Sequence, residues 1–196
     1  MKAVIDSNFF KSEEVPGAGK VILDEIRGAA EVTAVAGAQE LQIFSLNQGT
    51  LPKFLSNQVG SGGFLPAPEA FAVTGIKFTL ATSNGKPVLF QDAIDIYSQG
   101  TFTFEVSNRP ELQGWLQSHV PTNIVVPIDA KPEQTLCVNL ASFVSLANNP
   151  VKISQSRPFS LTVNINKQVG TAGYAAAYGH LYCVVQLLGY RLTAVK

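Results

Sequence analysis

Charge is what this chain has least of. Only 14% of its 196 residues are Asp, Glu, Lys or Arg, against about 25% in an ordinary soluble domain. The 14 bases and 14 acids cancel. A groove that holds nucleic acid by bulk electrostatics needs a basic excess, so no direct nucleic-acid binding is expected. Arg27, Arg109, Arg157 and Arg191 are scattered, and none sits in a basic run. Long apolar runs are missing too. None approaches the ~18 residues that cross a bilayer, which excludes an integral membrane protein of the helical kind. The opening MKAVIDSNFF is interrupted by Asp6, Ser7 and Asn8 and does not read as a signal peptide. Cysteine and histidine are scarce, at two each. Cys137 and Cys183 lie in separate strand-like runs rather than in a C-x-x-C pair. They read as buried thiols behaving as small hydrophobes, with a bridge between them left open. His119 and His180 belong to no metal-ligand pattern, so neither a metal nor a cofactor is expected.

The usual catalytic patterns are thin. Gly17–Lys20 ends like a phosphate-binding loop, but no glycine stands five residues before Gly19 and Val21 follows the lysine. Asp92 with Asp95, and Glu13 with Glu14, read as solvated acids rather than a catalytic pair. Gly60–Gly63 reads as a flexible loop rather than a nucleophile elbow. Trp115 reads as a core anchor, and Tyr174, Tyr178 and Tyr182 as loop packing, rather than as a sugar-stacking platform. The expected sets of catalytic, cofactor-binding and metal-binding residues are empty, and no enzyme is expected.

What the chain does have is apolar content and β texture. It is 46% hydrophobic with 12 Phe, and its mean hydropathy of +0.18 excludes the disordered class. Residues 1–40 hold seven acids and four bases and read as an N-terminal arm. Within it, Ile22, Ile26, Ala29 and Thr33 share a helical face, so residues 20–36 form either a helix or an extended arm, part of an extension expected to dock on the body or on a neighbouring subunit. From residue 41 onward alternation dominates. Strands are expected at 40–47, 71–82, 88–97, 101–107, 123–128, 134–140, 159–166 and from 180 to the end. Gly75 sits at a slip in the alternation and predicts a β-bulge. Ser83–Lys86 carries the Asn-Gly turn signal. Short helices are expected at 108–119, with Asn108 as N-cap, and at 142–148. About eight strands with turn-rich connections point to a single eight-stranded antiparallel jelly-roll sandwich over 41–196.

Three stretches carry a resemblance. Phe71–Leu80, Pro158–Ile165 and Tyr182–Leu192 resemble, in order, the first long strand, a late strand and the closing strand of coat proteins from tailless, membrane-containing bacteriophages. The resemblance implies a shell of repeated barrels, contact with other capsid proteins and with an internal membrane, residence in the virion after a soluble cytoplasmic stage, and no catalysis. It covers one barrel, whereas many such proteins fuse two. The acidic arm departs from the basic arm of small RNA-virus coats. Independently of any resemblance, the outward strand positions are Ser, Thr, Asn and Gln, and the strand at 159–165 has no charge to guard a free edge. The expectation is a self-assembling structural virion protein. The alternative is a carbohydrate- or receptor-binding β-sandwich of lectin or spike type.

Overall fold

The computed structural model describes residues 7–10, 19–33, 38–44, 48–57, 63–85, 88, 90–119, 141–155, 157–166 and 179–193. Nine strands are described: β1 (Lys20–Val32), β2 (Gln39–Ile43), β3 (Ala70–Thr82), β4 (Gly100–Val106), β5 (Arg109–Trp115), β6 (Ala141–Ser145), β7 (Val151–Ile153), β8 (Phe159–Ile165) and β9 (Leu181–Thr193). One α-helix, α1 (Phe90–Gln99), precedes β4. Short 3₁₀ turns occur at Ser7–Phe10, Gln48–Thr50 and Leu116–His119.

Period-two alternation builds the layers. In β8, Phe159, Leu161, Val163 and Ile165 are buried and the residues between them are half-buried. In β4, Phe102, Phe104 and Val106 do the same. The strands pair into two antiparallel sheets, ordered β1-β9-β3-β6 and β2-β8-β4-β5, with β7 also on β3. The two sheets bury their apolar faces in one shared core, the arrangement of a β-sandwich. Phe78 of the first sheet meets Phe102 of the second at 4.9 Å between ring centroids. Each large apolar side chain buried this way contributes about 1.5–3 kcal/mol.

β6 and β7 lie end to end along β3. Ser145 pairs with Gly75 and Val151 with Val73. They are one edge line interrupted at 146–150, so nine strands occupy eight positions.

The expected bulge is present: the β3–β9 register shifts between Val73 and Gly75. Gly189 stands opposite Val73 there, and a Cβ on it would lie 1.8 Å from the Ala72 carbonyl oxygen. The Asn-Gly turn also forms, with Gly85 at φ +71° donating its N–H to the Thr82 carbonyl at 3.2 Å.

Three expectations are overturned and one open choice is decided. Residues 20–32 are extended rather than helical and dock on the body: all 13 pair with β9, Lys20 with Thr193 through Val32 with Leu181. Inward Ile26, Gly28, Ala30 and Val32 also follow period two. Tertiary pairing outweighs the weaker helical stripe, which Gly28 already destabilised.

The weak strand at 88–97 is instead α1. Its Ala93, Ile96 and Tyr97 are buried at helical spacing, and Asp92 lies in its first turn, next to the positive end of the helix dipole.

The helix at 108–119 is instead β5 followed by a 3₁₀ turn. Ser107 and Asn108 have φ of 55° and 60°, the left-handed pair that a two-residue hairpin uses. Pro110 is tolerated because β5 is an edge strand. The helical turn at 142–148 is replaced by β6.

The strands expected at 123–128 and 134–140 lie outside the described residues.

Candidate functional site

The outer face of the first sheet is covered at both ends. At one end Phe10, 2% exposed, packs with Phe9 on Ala70, Ala72 and Leu192. At the other, Leu51 and Leu55 cover Ala29 and Val184. Between these covers lies an open groove of about 390 Å³, lined by Arg27, Phe54, Lys77, Thr79, Val184 and Gln186 among others.

Strand register builds its floor. Arg27 pairs with Gln186 and Gln186 with Lys77, so the three side chains form one rung across three strands. Phe143 stands opposite Lys77 on the far side and is half exposed. Arg27 is fixed: it forms an ion pair with Glu25 and donates from Nη1 to the Phe54 carbonyl at 3.1 Å. Gln186 Nε2 donates to the other Glu25 oxygen at 2.9 Å. Lys77 has no ion-pair partner among the described residues.

The outer face of the second sheet has the opposite character. One rung reads Trp115, Thr101, Asn164, Glu40, and the next Gln113, Thr103, Thr162, Gln42. Glu105 and Ser160 follow, linked by a 3.4 Å hydrogen bond from the serine hydroxyl. Strands β2, β4 and β8 contain no Lys or Arg at all. Trp115, 56% exposed, is therefore not the core anchor that its sequence context suggests. It pairs with Thr101 and shares the outward direction of that residue.

The other singled-out residues are dispersed. Arg191 binds Asp24 at 2.5 Å and Glu69 at 2.6 Å, with its guanidinium 5.8 Å from the Phe71 ring centroid. That cluster ties β9 to β1 and to the loop before β3. His119 packs its ring edge on Phe102 at 6.1 Å. His180 contacts Glu31 at 2.5 Å on an exposed corner. Asp92 is buried, against the expectation of a solvated acid, while Asp95 on the same helix is half-buried.

Tyr182 lies on the outer face of the first sheet with Leu55 and Val184. Trp115 is on the outer face of the second, so no stacking platform joins them. Burial, aided by Glu31, pushes the Tyr182 phenol above its ordinary range. Cys183 is a free, buried thiol, pushed up to about 12 by burial. Among the described residues no three His, Cys, Asp or Glu side chains gather to hold a metal, and no helix is long and apolar enough to cross a membrane. Cys137, Glu13, Glu14, Gly17, Tyr174, Tyr178 and Gly60–Gly62 lie outside the described residues.

No family model and no curated protein matches the chain. Among solved structures it is similar to a chain in a cryo-EM structure of a virus-like particle of extra small virus from the giant freshwater prawn Macrobrachium rosenbergii. The match has 10% sequence identity and a TM-score of 0.39, and it covers 93% of this chain and 86% of the other. At that TM-score, the architecture rests on the strand pairing described above.

Proposed function

We propose that the chain is a jelly-roll coat component that associates with copies of itself into a closed shell. The nested pairing supports the jelly-roll reading. β4 pairs with β5, β3 with the β6–β7 line, β2 with β8 and β1 with β9. Successive pairs alternate between the two sheets. Read as one long antiparallel ribbon wrapped around the core, these pairs support a jelly-roll course. The N-terminal extension of this reading is the stretch before Lys20, since the residues after it belong to a sheet.

The observation that carries the functional reading is the outward surface of both sheets. The second sheet presents mainly hydroxyls and amides, the first a short row of charges, and both leave large apolar side chains in the open: Leu23 at 77%, Trp115 at 56% and Phe143 at 46% exposure. A surface with so little charge and such exposed aromatics has the composition of one that other protein covers. The place of action is then the virion, with soluble subunits before assembly.

Light scattering after size exclusion, with negative-stain electron microscopy, tests this at micromolar concentration across salt and pH. Rings, shells or other closed oligomers are expected. A monomer under every condition refutes it.

A further inference from the structure

We infer that the subunits join head to tail, the outer face of the first sheet of one copy meeting the outer face of the second sheet of the next, with Trp115 seated in the groove between Arg27, Lys77 and Phe54. This rests on the self-assembly reading and names its contact.

Three observations converge on it. The first is charge. The first sheet directs Arg27, Lys77 and Lys152 outward against Glu25 and Glu31, an excess of one base, with Arg27 paired to Glu25 and Glu31 to His180. The second sheet directs Glu40 and Glu105 outward; β2, β4 and β8 supply no base, and on β5 the exposed Arg109 is offset by the exposed Glu111. Opposite faces of one molecule are therefore complementary to each other and each is unsuited to its own copy. Like charges brought face to face would oppose a two-fold contact.

The second observation is shape. The first sheet has an open groove between two covers, and the second has a 56% exposed indole among polar outward side chains. The third is chemistry. A tryptophan face suits a lysine ammonium or an arginine guanidinium, and Trp and Arg dominate the energetics of protein contacts when desolvated. Lys77, which has no described ion-pair partner, is available for that role, and Phe54 and Phe143 supply apolar edges. A heterologous contact of this kind closes into a ring when its rotation divides a full turn. A ring of barrels about a symmetry axis is the unit that a shell requires.

The test uses the sole tryptophan of the chain as its reporter. In the full-length protein, Trp115 emission should shift to the blue as concentration is raised through the association range. Trp115→Ala should weaken association by about tenfold or more, with Trp115→Phe retaining most of it. Lys77→Glu with Lys152→Glu should abolish assembly, as should Glu40→Lys with Glu105→Lys. All these positions are on outward faces, so an unchanged thermal midpoint verifies each fold.

Mixing the two charge-reversed proteins should restore assembly, because every contact in an alternating ring is then matched. Wild-type oligomers whose Trp115 emission stays that of exposed indole, or a Trp115→Ala protein that assembles at the wild-type concentration, overturn this contact while leaving self-assembly intact. A wild-type protein that never associates overturns both.

Discussion

Cys183 shows what a single buried atom does to the pH response of the whole domain. Its thiol stays protonated in the folded state until about pH 12, whereas in the unfolded chain it ionises near 8.5. Between those values the unfolded state has lost a proton that the folded state keeps, so stability falls as pH rises, by up to about 1.4 kcal/mol per pH unit. Below about pH 8.5 this contribution is fully present. Urea midpoints measured from pH 8 to 11 should therefore drop more steeply for the wild type than for Cys183→Ala. In a Cys137→Ser background, a thiol reagent should label Cys183 only on unfolding. Gly189 makes a second residue-scale point. Its missing side chain lets the Ala72 carbonyl approach at the bulge. Gly189→Ala should cost about 3 kcal/mol or more through overpacking, read as a fall in the thermal midpoint.

At the scale of elements, the chain is legible wherever one face alone is buried. β3, β4, β8 and β9 follow from alternation, and the Gly75 slip locates the bulge. Legibility fails where two periodicities overlap or where a partner decides. Residues 20–32 carry both a helical and an alternating stripe, and only pairing with β9, far away in sequence, selects between them. Residues 109–115 look like a capped helix because Asn108 and Pro110 suit a helix start as well as they suit a hairpin turn and an edge strand. The groove was not visible at all. Arg27, Lys77 and Gln186 are far apart in the chain and meet only through register.

The 3₁₀ turn at Ser7–Phe10 is a small element with a measurable role: among the described residues, Phe10 is the only large aromatic fully buried on the outer face of the first sheet. Phe10→Ala should cost about 3 kcal/mol, the low end for a buried phenylalanine, because a small cluster at the surface relaxes more easily than the central core. Urea unfolding reads the loss, and limited proteolysis should show earlier cleavage near the N-terminus.

For the whole molecule, the central distinction is between interior and exterior. The interior is a continuous apolar core spanning both sheets, as sequence periodicity indicates. The exterior is two faces of different sign and texture, and sequence alone shows only their shared poverty in charge. The division into faces needs the strand order. If the faces meet as inferred, association is partly electrostatic and should weaken with ionic strength. Raising salt from about 0.05 to 0.5 M shortens the screening length severalfold. The midpoint concentration for assembly should rise over that range, while the thermal midpoint of the isolated subunit should change little.

β9 lies between β1 and β3 in the first sheet, yet ribosomes make it after every other described strand. Until it emerges, β1 and β3 have no common neighbour and half of the sandwich has no middle. A chain that stops before Leu181 therefore leaves two unsatisfied edges and an open apolar layer, a species fit for proteases and chaperones. The topology thus makes the whole first sheet conditional on the synthesis of β9.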